Sequence, residues 1–222
     1  PVIEAVGATE ASGTAPMDAT IHLYLGDGSG QGEIFLDSAT ATGGVWTIAG
    51  LSLSDGDELV ATSTDYGSGL GTSLFSTPST FAVVSNTNDS GAGSLRDAII
   101  YANANPGTNI TFNIPPGPYV INLATALPQI SAAGTVIDGT TLPSWTAFGD
   151  IANTVTVNGS AIIGASHGFH VTASGFEIYG LIITDFDGTG LRGAIYLAND
   201  NADNAIIGAP GAGNIIHNTG GN

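Results

Sequence analysis

The chain has 222 residues; only 9% are charged, yet the net charge is −17, because 19 acids face two basic residues, Arg96 and Arg192. Without lysine there is little to displace counterions from phosphate, so nucleic acid is not an expected partner, and anionic membranes and polymers are repelled. Lysine-dependent covalent chemistry, thiolate nucleophiles, disulfides and Cys-ligated metals are excluded outright, since both residue types are absent.

The composition, rich in Ser, Thr, Asn, Gly and Ala, leans towards a secreted bacterial surface protein. No apolar run is long enough to span a bilayer. The chain opens on Pro1, and the expectation is a processed piece of a longer precursor.

From residue 1 to about 82 the sequence reads as all-β. The expected strands are 2–8, 19–26, 33–41, 45–49, 58–64 and 73–81, separated by Gly-, Asp- and Ser-rich turns. In Thr20–Leu25, Ile21, Leu23 and Leu25 share one face, with His22 and Tyr24 opposite. His22 is therefore expected on the solvent side and Trp46 in the core. This spacing of strands and turns indicates a β-sandwich. The stretch GEIFLDSATATGGVWTIAGLSLSDGDELVATSTD resembles bacterial Ig-like repeats in its G-x-W-T step, Gly-Asp turn and A-T-x-T-D run. The resemblance covers about residues 1–82 and implies an Ig-like fold.

The second expected domain, 83–222, opens with the one convincing helix, Leu95 to about Asn103. Ser94 is its N-cap, with Asp97 at the capping-box position. Leu95, Ala98, Ile99 and Ala102 form one apolar stripe, and Pro106-Gly107 ends it. Arg96 stands beside the stripe and is expected to pair with a carboxylate such as Asp89 or to cap carbonyls, a structural role.

Beyond the helix, short apolar pieces punctuated by Gly, Asn and Asp recur at irregular spacing, at 110–114, 119–123, 134–138, 154–157, 168–171, 176–183, 193–197, 204–207 and 214–217. This is the pattern of a parallel β-solenoid. NTNDSGAGSLRDAIIYANANPG, VIDGTTLP and the later G-L-I-I and N-x-I-I-G phrases resemble bacterial right-handed parallel β-helix surface proteins that open with an S-L-R-x-A-I helix. The resemblance implies that this helix caps the first coil. A related form has Cys before Ser-Leu-Arg, where this chain has Gly93. The family's activity is mostly unassigned. The open last coil implies either further chain beyond Asn222 or a covering subunit.

Several groups invite a chemical reading, each with a blander one beside it. Asp185 and Asp187 flank Phe186 and, on a strand, would project together as glycosidase acids or Ca²⁺ ligands; solvated acids after a strand are the simpler account. His167 and His170 lie three apart, so on a regular strand they do not share a face, and with His217 they read as surface or corner histidines. Asp55, Asp57, Glu58 and Asp65 crowd one region where related loops bind Ca²⁺, but a polar turn accounts for them; GDGSGQGE at 26–33 lacks an EF-hand ligand set. GAPGAG at 208–213 has no following Lys and is no phosphate loop. Thr154 and Thr156 alternate as on a sugar-binding face, and Tyr119, Trp145 and Phe148 are candidates to stack on sugars.

No catalytic residue, metal ligand or cofactor is assigned. The sequence points to an all-β, noncatalytic extracellular protein, a segment of a cell-surface adhesin or self-assembling filament. Its expected partners are copies of itself, neighbouring domains, or a host or glycan receptor, with a polysaccharide-degrading enzyme or neutral-glycan-binding module as the alternative.

Overall fold

The computed structural model describes residues 1–7, 9–54, 56–65, 71–76, 78–163, 166–186, 193–198 and 202–218. The described fold is all-β apart from one α-helix and two 3-10 turns, and the chain divides into two compact units, Pro1–Phe81 and Ala82–Asn222.

The first unit holds β1 (Val2–Gly7), β2 (Glu10–Thr14), β3 (Thr20–Gly26), β4 (Gly32–Thr40), β5 (Val45–Ala49), β6 (Glu58–Asp65), β7 (Gly71–Thr72) and the start of β8 (Ser79–Val84). The strands β1-β2-β5 form one antiparallel sheet; β4-β3-β6 form another, with β7 and β8 pairing on the far side of β6. The alternation expected for β3 is present: Ile21 and Leu23 are fully buried while His22 and Tyr24 lie on the other face. His22 is nonetheless half-buried rather than exposed, because the Phe35 ring of β4 lies beside it, 6.2 Å between centroids.

Strand β2 has no counterpart in the sequence reading. Its residues, EASGT, carry no apolar run; the Trp46 side chain, 3% exposed, dictates them instead. Gly13 sits opposite Trp46, and a Cβ there would fall 2.0 Å from the Val2 carbonyl oxygen and 2.9 Å from the indole ring. The indole Nε1 donates to the Thr14 carbonyl at 3.3 Å.

The second unit begins within β8 and continues with α1 (Leu95–Ala104), β9 (Asn109–Phe112), β10 (Val120–Asn122), β11 (Val136–Asp138), β12 (Val155–Asn158), β13 (Phe169–Val171), β14 (Glu177–Tyr179), β15 (Leu181–Thr184), β16 (Ile195–Leu197), β17 (Ile206–Ile207) and β18 (Ile215–His217). Every pairing among β9–β18 is parallel. They form three ladders: β9-β11-β14-β17, β10-β12-β15-β18, and β13-β16, the last extended by an Ile130–Val171 bridge. The chain visits the ladders in the same order each time round. Residues that share a register position also share a fate: Ile110, Ile137 and Ile178 are fully buried in the first ladder, as are Ile121, Val157 and Ile183 in the second.

One corner repeats with them. Gly107, Gly134 and Gly175 all have positive φ, and a Cβ on Gly134 would meet the Gly107 Cα at 3.4 Å. Asn204, φ 59°, holds the equivalent place before β17, as the non-Gly residue best suited to left-handed backbone. The run read as one strand over 176–183 turns at Gly180, φ 73°, into β14 and β15.

Candidate functional site

The start of the second unit is closed by side chains from α1 and the turn before it. Ser94 Oγ caps the helix by accepting from the Asp97 amide, and the Asp97 carboxylate accepts from the Gly93 amide. Leu95, Ala98, Ile99 and Ala102 are buried in the apolar core with Ile110, Phe112 and Ile121. This packing leaves Arg96 pointing along the first coil. Its Nε donates to the Asp89 carbonyl at 3.0 Å, and its Nη2 to the Asp89 carboxylate and the Thr125 carbonyl, each at 2.8 Å; Nη1 reaches the Ala126 carbonyl. The Asp89 carboxylate also accepts from the Ala124 amide. The expected structural role of Arg96 is what the geometry provides.

Asn103 completes the closure and was not singled out by sequence reasoning. Its amide nitrogen donates to the Gln129 carbonyl at 2.7 Å and its oxygen accepts from the Ser131 amide at 2.8 Å. One side chain thus occupies both backbone groups flanking Ile130, as a neighbouring strand would. No local signal marks it, because its partners lie far along the chain.

On the outer side of the third ladder, His170 and Tyr196 are register partners. His167 stacks on the Tyr196 ring, 4.2 Å between centroids at 17°, and its ring lies 5.8 Å from that of His170. The argument that keeps the two histidines on separate faces fails here. Only His170 is in β13; His167 lies in the segment before it, where strand alternation does not hold. His217, exposed at the end of β18, shares a 3.1 Å hydrogen bond with Thr184.

Asp185 lies past the end of its strand. β15 ends at Thr184, Asp185 adopts φ 60° and Phe186 is buried; Asp187 and Arg192 lie outside the described residues. A different acid is better placed for attention. Asp138, on the outer side of β11, is 8% exposed, and burial raises its carboxyl above the usual range against the opposing bonds from Thr140. Tyr179 is its register partner, and burial, with Asp138 and Glu177 nearby, pushes the phenol upward. Yet the Asp138 oxygen is taken by the Thr140 amide and hydroxyl at 2.9 and 2.6 Å, capping the 3-10 turn Gly139–Thr141. That is an Asx-type cap, and the D-G-T-T sequence is its signal.

The acidic loops of the first unit act on themselves. Asp27 accepts from Ser29 and Gln31, which holds its carboxyl below the usual range, and Asp57 accepts from the Ser54 amide. Glu58 Oε1 is buried without a hydrogen-bond partner among the described residues; Asp55 lies outside them, and Asp65 ends β6. No group of three or more metal-ligating side chains occurs among the described residues.

The sugar-stacking candidates are dispersed. Tyr119 is 6% exposed and lines a shallow cleft of about 450 Å³ with Pro115, Pro116, Pro143 and Ser144. Trp145 packs against the core, and Phe148 lies over Gly213. Thr154 is buried, donating to the Asp150 carbonyl, so it forms no outward array with Thr156. In 208–213, Ala209 and Ala212 close a tight turn, and Ala212 accepts from the Gly180 amide. No described helix is long and apolar enough to cross a membrane. Comparison with family models, with curated proteins and with solved structures finds no match.

Proposed function

We propose that the protein is a noncatalytic, extracellular structural or adhesive segment of a bacterial cell surface, built from an Ig-like β-sandwich followed by a right-handed parallel β-helix with α1 as its N-terminal cap. The observation that carries the reading is the fixed cycling of the chain through three parallel ladders with in-register, fully buried rows. Right-handedness follows from the general rule for parallel crossovers. Two antiparallel sheets with Trp46 buried support the sandwich. A stack of this kind spends its sequence on repeating core and corner residues, and in it the polar side chains of Arg96, Asn103 and Asp138 each serve backbone groups. Scarcity of Lys and Arg leaves few trypsin-like cleavage sites, which suits an exposed location.

The reading is tested on cells that make the protein. Antibody against the folded chain should label intact cells, and an external protease of broad specificity, which does not need Lys or Arg, should remove the antigen without lysis. Labelling only after permeabilisation would overturn the location. Turnover of a polysaccharide that is lost with Asp185→Asn and Asp187→Asn would replace the scaffold role with the enzymatic one.

A further inference from the structure

Arg96, Asn103 and Asp138 spend their polar groups on the backbone of the second unit. Three other polar side chains there are idle, and they meet at one place. Asn113, just past β9, Tyr119, just before β10, and Ser144, after the 3-10 turn Gly139–Thr141, line the cleft of about 450 Å³. Ser144 Oγ is buried with no hydrogen-bond partner among the described residues. Neither the Asn113 carboxamide nor the Tyr119 hydroxyl is engaged by another described group. Buried polar groups are normally paired, so an orphan beside two further unpaired groups calls for a partner from outside the chain.

The backbone around the cleft is pinned. The Asn113 amide donates to the Val84 carbonyl at 2.9 Å, and the Tyr119 carbonyl accepts from the Thr156 amide at 2.8 Å. The turn that carries Pro143 and Ser144 is tied to β9, because Thr141 Oγ1 accepts from the Phe112 amide at 2.8 Å. The Trp145 amide closes that turn on the Leu142 carbonyl, also at 2.8 Å. Pro115, Pro116 and Pro143 add stiff apolar surface without an N–H. A site held in shape by its own backbone has little freedom to lose on binding.

The lining selects the ligand. No Asp, Glu, Lys, Arg or His lines the cleft. An anion finds no counter-charge there in a chain of net charge −17, and a cation finds no carboxylate. Hydroxyl and carboxamide groups both donate and accept, which matches a ligand whose hydroxyls do the same. Ser144 has a single rotatable bond between backbone and oxygen, so one rotamer change recruits it. Tyr119 is 6% exposed; its ring is covered, and a proline-rich peptide would need ring faces. The volume lies within the roughly 300–1,000 Å³ of small-molecule sites. We infer that this cleft binds a neutral sugar of mono- or disaccharide size, with Asn113, Tyr119 and Ser144 bonding its hydroxyls and the prolines against its C–H face. This deepens the adhesive side of the proposed function and rests on it for where the sugar is met.

Nuclear magnetic resonance titration of the ¹⁵N-labelled chain tests it. The probes are glucose, galactose, mannose, N-acetylglucosamine and their disaccharides, with glucuronic acid as the anionic counterpart and an uncharged proline-rich peptide as the competing ligand. At least one neutral sugar should shift the Asn113 side-chain amide and the Ser144 amide saturably, leaving the Asn103 side chain unmoved. Tyr119→Phe and Ser144→Ala each remove one oxygen, and Asn113→Ala removes an exposed carboxamide; each should weaken binding about 5-fold, the loss of one hydrogen bond. Ser144→Ala should also melt no lower than the parent, since it deletes an orphaned hydroxyl. No shift with any neutral sugar, affinity indifferent to all three substitutions, equal binding of glucuronic acid, or shifts with the peptide alone would each overturn the inference. None of these results touches the surface location, which the cell-labelling experiment decides separately.

Discussion

Replacing Arg96 with methionine keeps the stem that lies along α1 and deletes the group that closes the first coil. The guanidinium makes four hydrogen bonds, three of them to backbone carbonyls. Charged hydrogen bonds are worth about 1.5–3 kcal/mol each, but their sum overstates the loss. The Thr125 and Ala126 carbonyls lie where water can replace the guanidinium, and Asp89 keeps the Ala124 amide. Breaking a fully buried pair costs about 3–5 kcal/mol. Arg96 and Asp89 side chains are 15% and 25% exposed, so screening brings the expected cost to roughly 2–3 kcal/mol. For a unit of this size that is a fall of roughly 5–10 °C in Tm. Each unit contains one tryptophan, Trp46 or Trp145, so a Trp46→Phe background leaves Trp145 reporting the second unit alone. Arg96→Lys should recover less than half of the loss, because one ammonium cannot span the same carbonyls. An unchanged Trp145 transition in Arg96→Met would refute the closure argument.

Three further substitutions probe other parts of the fold. Gly13→Ala should destabilise the first unit by about 2–3 kcal/mol through overpacking against Trp46 and the Val2 carbonyl, read from denaturant midpoints by Trp46 fluorescence; a neutral result would remove the account of β2. Gly134→Ala should cost about 1–2 kcal/mol from left-handed backbone alone, with the second unit's transition shifting and the first unit's unmoved. The raised Asp138 carboxyl holds a proton in the folded state that the unfolded chain has released. Its contribution therefore falls as pH rises from the ordinary carboxylate range through the raised folded value, above which the desolvation cost is complete. Asp138→Asn should flatten that part of the stability–pH profile and stabilise above it, whereas Asp138→Ala should cost about 1–2 kcal/mol at low pH by stripping the cap from Thr140, and less as pH rises through the raised folded value; a steeper profile in the Asn variant would contradict the direction of the shift.

The sequence was legible wherever burial imposed a period. The stripe Leu95, Ala98, Ile99, Ala102 gave the helix and its buried face, and the alternation in β3 gave Ile21 and Leu23 as core. It was mute where a residue answers to something distant. Gly13 is small because of Trp46, and Asn103 is an amide because of Gln129 and Ser131. Fixed-period repeats were not visible because loops of unequal length separate the corners at Gly107, Gly134, Gly175 and Asn204, although the same backbone conformation recurs at each. His167 and His170 come together for a related reason: spacing predicts a shared face only inside a strand, and His167 is outside one.

The central claim, that successive coils stack in the register Val136–Glu177, is open to a direct covalent test. Parallel neighbours lie about 4.8 Å apart, within disulfide reach, whereas an offset of two residues opens the spacing to roughly 8 Å. In this cysteine-free chain, Val136→Cys with Glu177→Cys should oxidise to an intramolecular disulfide under mild conditions, and Val136→Cys with Tyr179→Cys should remain reduced. A disulfide in the offset pair but not in the register pair would contradict the stacking.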